Sequence, residues 1–144
     1  QCALMGARAV YDGPVLISLV PNEEGMLSGG RTLSEGVALC DEYGADVIGV
    51  VSDAPARVLV GFAKEMASVT DKPLLGDVSV RRKDRRQFEP TDENPYPTAD
   101  AIVELAVRLR AQGVQFLRAS GAATPAYTGA LLATVGGSDV VVPQ

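Results

Sequence analysis

Three ionisable side chains fall where apolar runs end: Asp53 after "GVVS", Asp77 within "LLGDVSV" and Arg118 within "FLRASG". A carboxylate can take or give a proton, and a guanidinium can hold an anion, so this trio has the elements of acid/base chemistry with an anion-binding partner. Serines stand beside them in the same segments: Ser18, Ser52, Ser79 and Ser120, all able to hydrogen-bond a polar ligand. The bland alternative is a set of solvated charges on the rim of the fold. The chain has no histidine and only two cysteines, Cys2 and Cys40. A histidine-based triad is therefore excluded, as is a structural zinc built from four Cys or His ligands. Cys40 shares a helical stripe with Leu33 and Val37, which marks it as a small core hydrophobe rather than a nucleophile.

Elements that would position these residues alternate along the chain. "PVLISLV" (14–20) reads as a β-strand of the continuous kind buried on both faces. "RTLSEGVALCDEYG" (31–44) reads as a helix, with Thr32 and Glu35 at capping-box spacing and Gly44 as its stop. "DVIGVVS" (46–52) is a second strand, and 54–70 a helix with Leu59, Phe62, Met66 and Val69 on one face. "KPLLGDVSV" (72–80) is a third strand, followed by a long polar loop. A helix over 99–113 buries Ile102, Leu105, Ala106 and Leu109. "VQFLRAS" (114–120) is a fourth strand, Pro125 to Val135 a last helix, and "DVVVP" (139–143) a short terminal strand.

Strand and helix in strict alternation predict an α/β fold of parallel β/α units. No strand is followed by the Gly-rich turn of a dinucleotide fold, which favours a barrel over a doubly wound sheet. A full (β/α)₈ barrel takes about 250 residues, and the chain has 144, so four units make about half of one. The chain opens in helix-like sequence, "CALMGARAV", without an initiator Met. The expectation is a single domain over 1–144, the C-terminal portion of a TIM-type barrel, with the N-terminal half upstream or in trans.

In a barrel the chemistry lies at the carboxyl ends of the strands, which here read "SLVPNEEG", "GVVSDAP", "GDVSVRR" and "RASGAATP". With the block "GPVLISLVPNEEGMLSGGRTLSEGVALCDEYGADVIGV" and the late "ATPAYTGAL" helix, nearly the whole chain resembles the homocysteine S-methyltransferase family. That resemblance implies methyl transfer to the homocysteine thiol to give methionine, on a zinc held by three cysteine thiolates. The family's first ligand follows a Gly-x-Asn. Matching Gly49-Val50 puts Val51 at the Asn and Ser52 at the Cys. The other two form a Cys-Cys pair in Gly-Gly-Cys-Cys-Gly-Thr-Thr-Pro. Anchoring on Thr124-Pro125 puts Ser120 and Gly121 there, with Arg118 and Ala119 at the two glycines. The family's Tyr-Pro-Asn becomes Asp77-Val78-Ser79, while Ser18 keeps the serine of a Ser-Phe-Thr motif.

The resemblance thus implies a methyltransferase-like domain whose zinc ligands are replaced by Ser52, Ser120 and Gly121. No cofactor is expected, nor zinc-dependent catalysis. Ser18, Ser52, Ser79 and Ser120 are its substrate-binding candidates, facing a common cavity, for a small homocysteine-like ligand. Restoring zinc is expected to take three cysteines together, at 52, 120 and 121. Two other readings stay open: a metal-free enzyme using Asp53, Asp77 and Arg118, and a structural or ligand-binding fragment. A net charge of -5 argues against nucleic acid, and the basic run Arg81 to Arg86 reads as a solvated loop beside Glu89, Asp92 and Glu93. No apolar run approaches the ~20 residues that span a bilayer. With two isolated thiols and no signal peptide, the expected location is the cytoplasm.

Overall fold

The computed structural model describes residues 2–136. Helix α1 (Cys2–Val10) precedes four strands, β1 (Leu16–Leu19), β2 (Val47–Ser52), β3 (Leu74–Val80) and β4 (Phe116–Gly121). Helices α2 (Leu33–Glu42) and α3 (Ala56–Val69) follow β1 and β2. A 3₁₀ turn, Ala99–Ile102, leads into α4 (Val103–Ala111), and α5 (Pro125–Gly136) follows β4. The strands form one parallel sheet in the order β1-β2-β3-β4. That is the order of a barrel wall; a doubly wound sheet would reverse direction partway. The proposed terminal strand at 139–143 lies outside the described residues.

Several local signals act as the sequence predicts. The Thr32 side chain accepts from the Glu35 amide while the Glu35 carboxylate accepts from the Thr32 amide, which closes the capping box of α2. Gly44 takes φ 78°, a left-handed conformation that stops the helix cheaply only in glycine. Helix α1 is fastened to the sheet by Arg8, which reaches the Gly13 and Gly44 carbonyls and the Asp46 carboxylate. The Val15 amide donates to that same carboxylate and, with Arg8, holds it below the usual carboxylate range.

Strand alternation gives the sheet two unlike faces. On one, Ile48, Val50, Leu74, Val78 and Val80 join Leu33, Val37, Leu59, Phe62, Met66, Leu105 and Leu109 in a single buried cluster. Cys40 lies in this cluster, and burial pushes its thiol pKa up. The helices therefore cover this face. The other face carries Leu16 and Ser18 from β1, Gly49 and Val51 from β2, Leu75, Asp77 and Ser79 from β3, and Phe116, Arg118 and Ser120 from β4. Leu16 and Phe116 are about half exposed there. The reading of 14–20 as doubly buried is therefore corrected. β1 is an edge strand with one bare face, and only the inner strand β3 is buried nearly throughout.

Two tyrosines tie the long 81–98 loop to the body of the fold. The Tyr96 hydroxyl donates to the Ala54 carbonyl at 2.7 Å, and the Tyr127 hydroxyl to the Tyr96 carbonyl at 2.8 Å. Both residues are buried. Burial raises the pKa of both phenols, with the Asp53 carboxylate adding to the effect on Tyr96.

Replacing Tyr96 with Phe leaves the buried Ala54 carbonyl unpartnered and is expected to cost about 1–2 kcal/mol in urea unfolding at neutral pH. Because folding raises these phenol pKa values, their contribution is intact below the unfolded phenol pKa of about 10 and is lost as pH rises above it. Stability of the parent should therefore fall above that pH more steeply than that of a Tyr96→Phe/Tyr127→Phe variant. Equal slopes would contradict this account.

The bare face and the edges of β1 and β4, which pair with no further strand among the described residues, generate a second expectation. The 144-residue chain alone should self-associate in light scattering, and Phe116→Glu with Leu132→Glu should reduce it; both residues are exposed apolar side chains. A monodisperse monomer would count against it.

Candidate functional site

From the middle of β3 and β4 toward their carboxyl ends, the bare face carries a polar cluster. Strand register sets Asp77 between Val51 on β2 and Arg118 on β4, and sets Ser79 beside Ser120 one pleat further on. The Asp77 side chain is 4% exposed, whereas that of Arg118 is 66% exposed. The Ser120 hydroxyl donates to Asp77 Oδ1 at 2.5 Å, and Arg118 Nε lies 3.5 Å from Asp77 Oδ2. A carboxyl group so enclosed is met by one hydroxyl donor and one largely exposed cation, whose guanidinium has room to turn toward a ligand.

The remaining sequence candidates fall elsewhere. Asp53 is engaged by Arg81, Nε to Oδ2 at 2.6 Å, and Arg81 in turn donates to the Glu93 carbonyl at 2.6 Å. That bond to Asp53 is the main reason the Arg81 pKa rises. Asp53 thus pins the start of the loop instead of joining Asp77 and Arg118. Ser18 is on the bare face but deeper, paired in register with Gly49. Gly49 suits that place, since a Cβ there would come within 2.8 Å of the Ser18 hydroxyl.

Ser52 reaches the same end of the sheet as Ser120 but the opposite face. Its register partner is Val78, a member of the helix-side core, and its buried hydroxyl accepts from the Ala54 amide at 3.1 Å. The common cavity expected for Ser52 and Ser120 is therefore not formed. The period of two decides this: Val51, not Ser52, shares a face with Asp77. Arg81, Tyr96 and Tyr127 are the residues that sequence reasoning missed. A basic residue directly after a strand was the one available signal, for Arg81.

The donors at this end do not fit a zinc held by three thiolates. Two of the three positions offer hydroxyls already bonded to Asp77 and to a backbone amide, and Gly121 offers no side chain. Gly121 also adopts φ 69°, and a Cβ on it would meet the Val80 carbonyl oxygen at 2.6 Å. Among the described residues, no three His, Cys, Asp or Glu side chains come together in a way that could hold a metal ion.

Comparison with known proteins identifies the architecture. The chain superposes on the metallated form of the homocysteine methyltransferase MmuM from Escherichia coli with a TM-score of 0.69 and 17% identity. The match covers 91% of this chain and 39% of that one. The oxidised form of the same protein gives a TM-score of 0.67, again with 17% identity and the same coverage. No family model and no curated protein sequence matches the chain. The fold is thus part of a TIM-type barrel, and the chain spans about two fifths of the length of these structures. Among the described residues no helix is long and apolar enough to cross a membrane.

The sheet geometry bears on the cysteine variants. A Ser52→Cys/Ser120→Cys/Gly121→Cys protein is expected to bind zinc no better than the parent and to melt at a lower temperature. One new thiol would point into the helix layer and another would strain the backbone at 121. Elemental analysis and thermal unfolding check this. One-to-one zinc in that variant would show that the strand end turns to bring Ser52 inward.

Proposed function

We propose that the chain is the C-terminal portion of a homocysteine-methyltransferase-like barrel that binds a small amino-acid-like ligand without a thiolate-held zinc, working in the cytoplasm. The observation that carries this reading is the nearly enclosed Asp77 carboxylate with Ser120 and Arg118 on the bare face. An α-amino acid presents a cation and an anion a few ångströms apart. Arg118 is suited to take the carboxylate, and Asp77, relieved of Arg118, to take the ammonium group. Ser79 and Ser120 would supply hydroxyls beside them. The likeness in fold to a homocysteine methyltransferase supports homocysteine as the first ligand to try.

This reading leaves the bare sheet face to be closed by further β/α units, supplied upstream or in trans, against the exposed edges at Leu16 and Phe116. Without three thiolates the protein would not activate a homocysteine thiol as a metal-bound thiolate. Binding is then the function the remaining residues serve. The second reading, acid/base chemistry by Asp53, Asp77 and Arg118 together, has less support because Asp53 is committed to Arg81.

Calorimetric titration with L-homocysteine tests the proposal. Binding should persist in the presence of a zinc chelator, and Arg118→Ala should weaken it about tenfold or more, in keeping with a lost charge-assisted pair. Homocysteine lacking its carboxylate (the corresponding amine) should bind weakly to both proteins. Zinc-dependent methyl transfer by the unmodified protein, or binding indifferent to Arg118, would overturn the reading.

A further inference from the structure

The basic run at 81–86 is not only a solvated loop. Its first three residues line a recess of about 540 Å³ between the loops that follow β3 and β4. Arg81 is already held by Asp53 and the Glu93 carbonyl. Arg82 and Lys83 are the recess's remaining cations, and Lys83 also lies 5.1 Å from the centre of the Phe88 ring. Across from them are Thr98 and Thr124. The Thr98 side chain makes no capping bond to the 3₁₀ turn that it precedes. Thr124 immediately precedes the twelve-residue helix α5, whose first turn lines the same recess through Ala126 and Tyr127. Pro97, Ala122 and Ala126 complete the wall with small apolar surface.

We propose that this recess binds the phosphate monoester of a soluble small molecule. Two basic residues, two threonines and a helix start line one space, a residue set that suits the charge and acceptors of a phosphate dianion once the Lys83 ammonium turns in from the Phe88 ring. The volume exceeds that of a phosphate alone, and the apolar wall suits a short carbon skeleton attached to it. The position has a physical precedent in barrels generally, where phosphate is frequently held by the loops after the seventh and eighth strands and a nearby helix start. If the chain is the C-terminal portion of a barrel, as proposed above, β3 and β4 are those two strands. The local argument from Arg82, Lys83, Thr98 and Thr124 does not need that assignment. Val80, at this end of the recess, belongs to the helix-covered face, so the recess is a different place from the Asp77 cluster.

Calorimetry at constant ionic strength, with inorganic phosphate, glycerol 3-phosphate and glycerol, tests the site in the full chain. Glycerol 3-phosphate should bind and glycerol should not. Arg82→Gln/Lys83→Gln should weaken binding about tenfold or more. Arg85→Gln/Arg86→Gln removes the same charge from the same loop outside the recess and should change affinity by roughly twofold at most, as expected of screened surface charge. Thr124→Val, which leaves every charge in place, should also weaken binding. Thermal unfolding of each variant confirms that it is folded. Arg118→Ala should leave phosphate binding intact, which separates failure here from failure of the amino-acid reading. Equal losses in the two double variants, or affinity no greater than for chloride, would overturn the proposal. So would binding to vesicles containing phosphatidic acid without binding to glycerol 3-phosphate.

Discussion

The structure depends on a sheet that is clothed on one face only. A parallel strand sends successive side chains to opposite sides, and here one side packs against helices while the other leaves Leu16 and Phe116 half exposed at its edges and buries residues only at its centre, among them Leu75 and Asp77. Ile48, Val50, Leu74 and Val78 supply the packing. The same alternation forces Val51, Asp77 and Arg118 onto the bare side, where a polar group tolerates exposure or partners its neighbour across the strands. Asp77 shows how narrow that tolerance is. At the centre of the sheet its side chain is almost out of reach of water, and the Ser120 hydroxyl and the Arg118 guanidinium are the partners that satisfy it there.

Loops at the carboxyl ends inherit their order from this arrangement. Asp53 leaves β2 next to Arg81 leaving β3, and the two pair across adjacent strand ends. Tyr96 then closes the far end of the 81–98 segment on the Ala54 carbonyl, two residues after Ser52, and Tyr127 braces it from α5. An exposed loop is thus anchored at both ends by buried or charge-assisted bonds. Its polar composition reflects the surface between those anchors.

Much of this was legible in the residues. Strand positions, the α2 capping box, the Gly44 stop and the helix stripes of α2 and α4 follow from periodicity and caps, which are local properties. The barrel-like strand order followed from β/α alternation and chain length. The candidate cluster was half legible. Asp77, Arg118 and Ser120 meet, but Asp77 and Arg118 stand within their strands, not at the strand ends read from the apolar runs. Yet their meeting depends on register, which a one-residue shift inverts and which no single strand encodes by itself. That is why Ser52, aligned by motif, falls on the wrong face, and why Asp53 pairs with Arg81 instead of Asp77. The burial of 14–20 was misjudged for a related reason: whether a strand is inner or edge is a property of the assembled sheet.

The double anchoring of the 81–98 segment has a consequence for how the chain would respond to a protease. Residues 81–86 are exposed and rich in arginine and lysine, a ready substrate for trypsin-like cleavage. A cut there would separate β1–β3 from α4, β4 and α5 in sequence but not in space. The β3–β4 ladder, the shared helix core and the Tyr96–Ala54 bond all join the two pieces without passing through the severed peptide. The nicked molecule would migrate as two bands under denaturing conditions and as one species in native buffer.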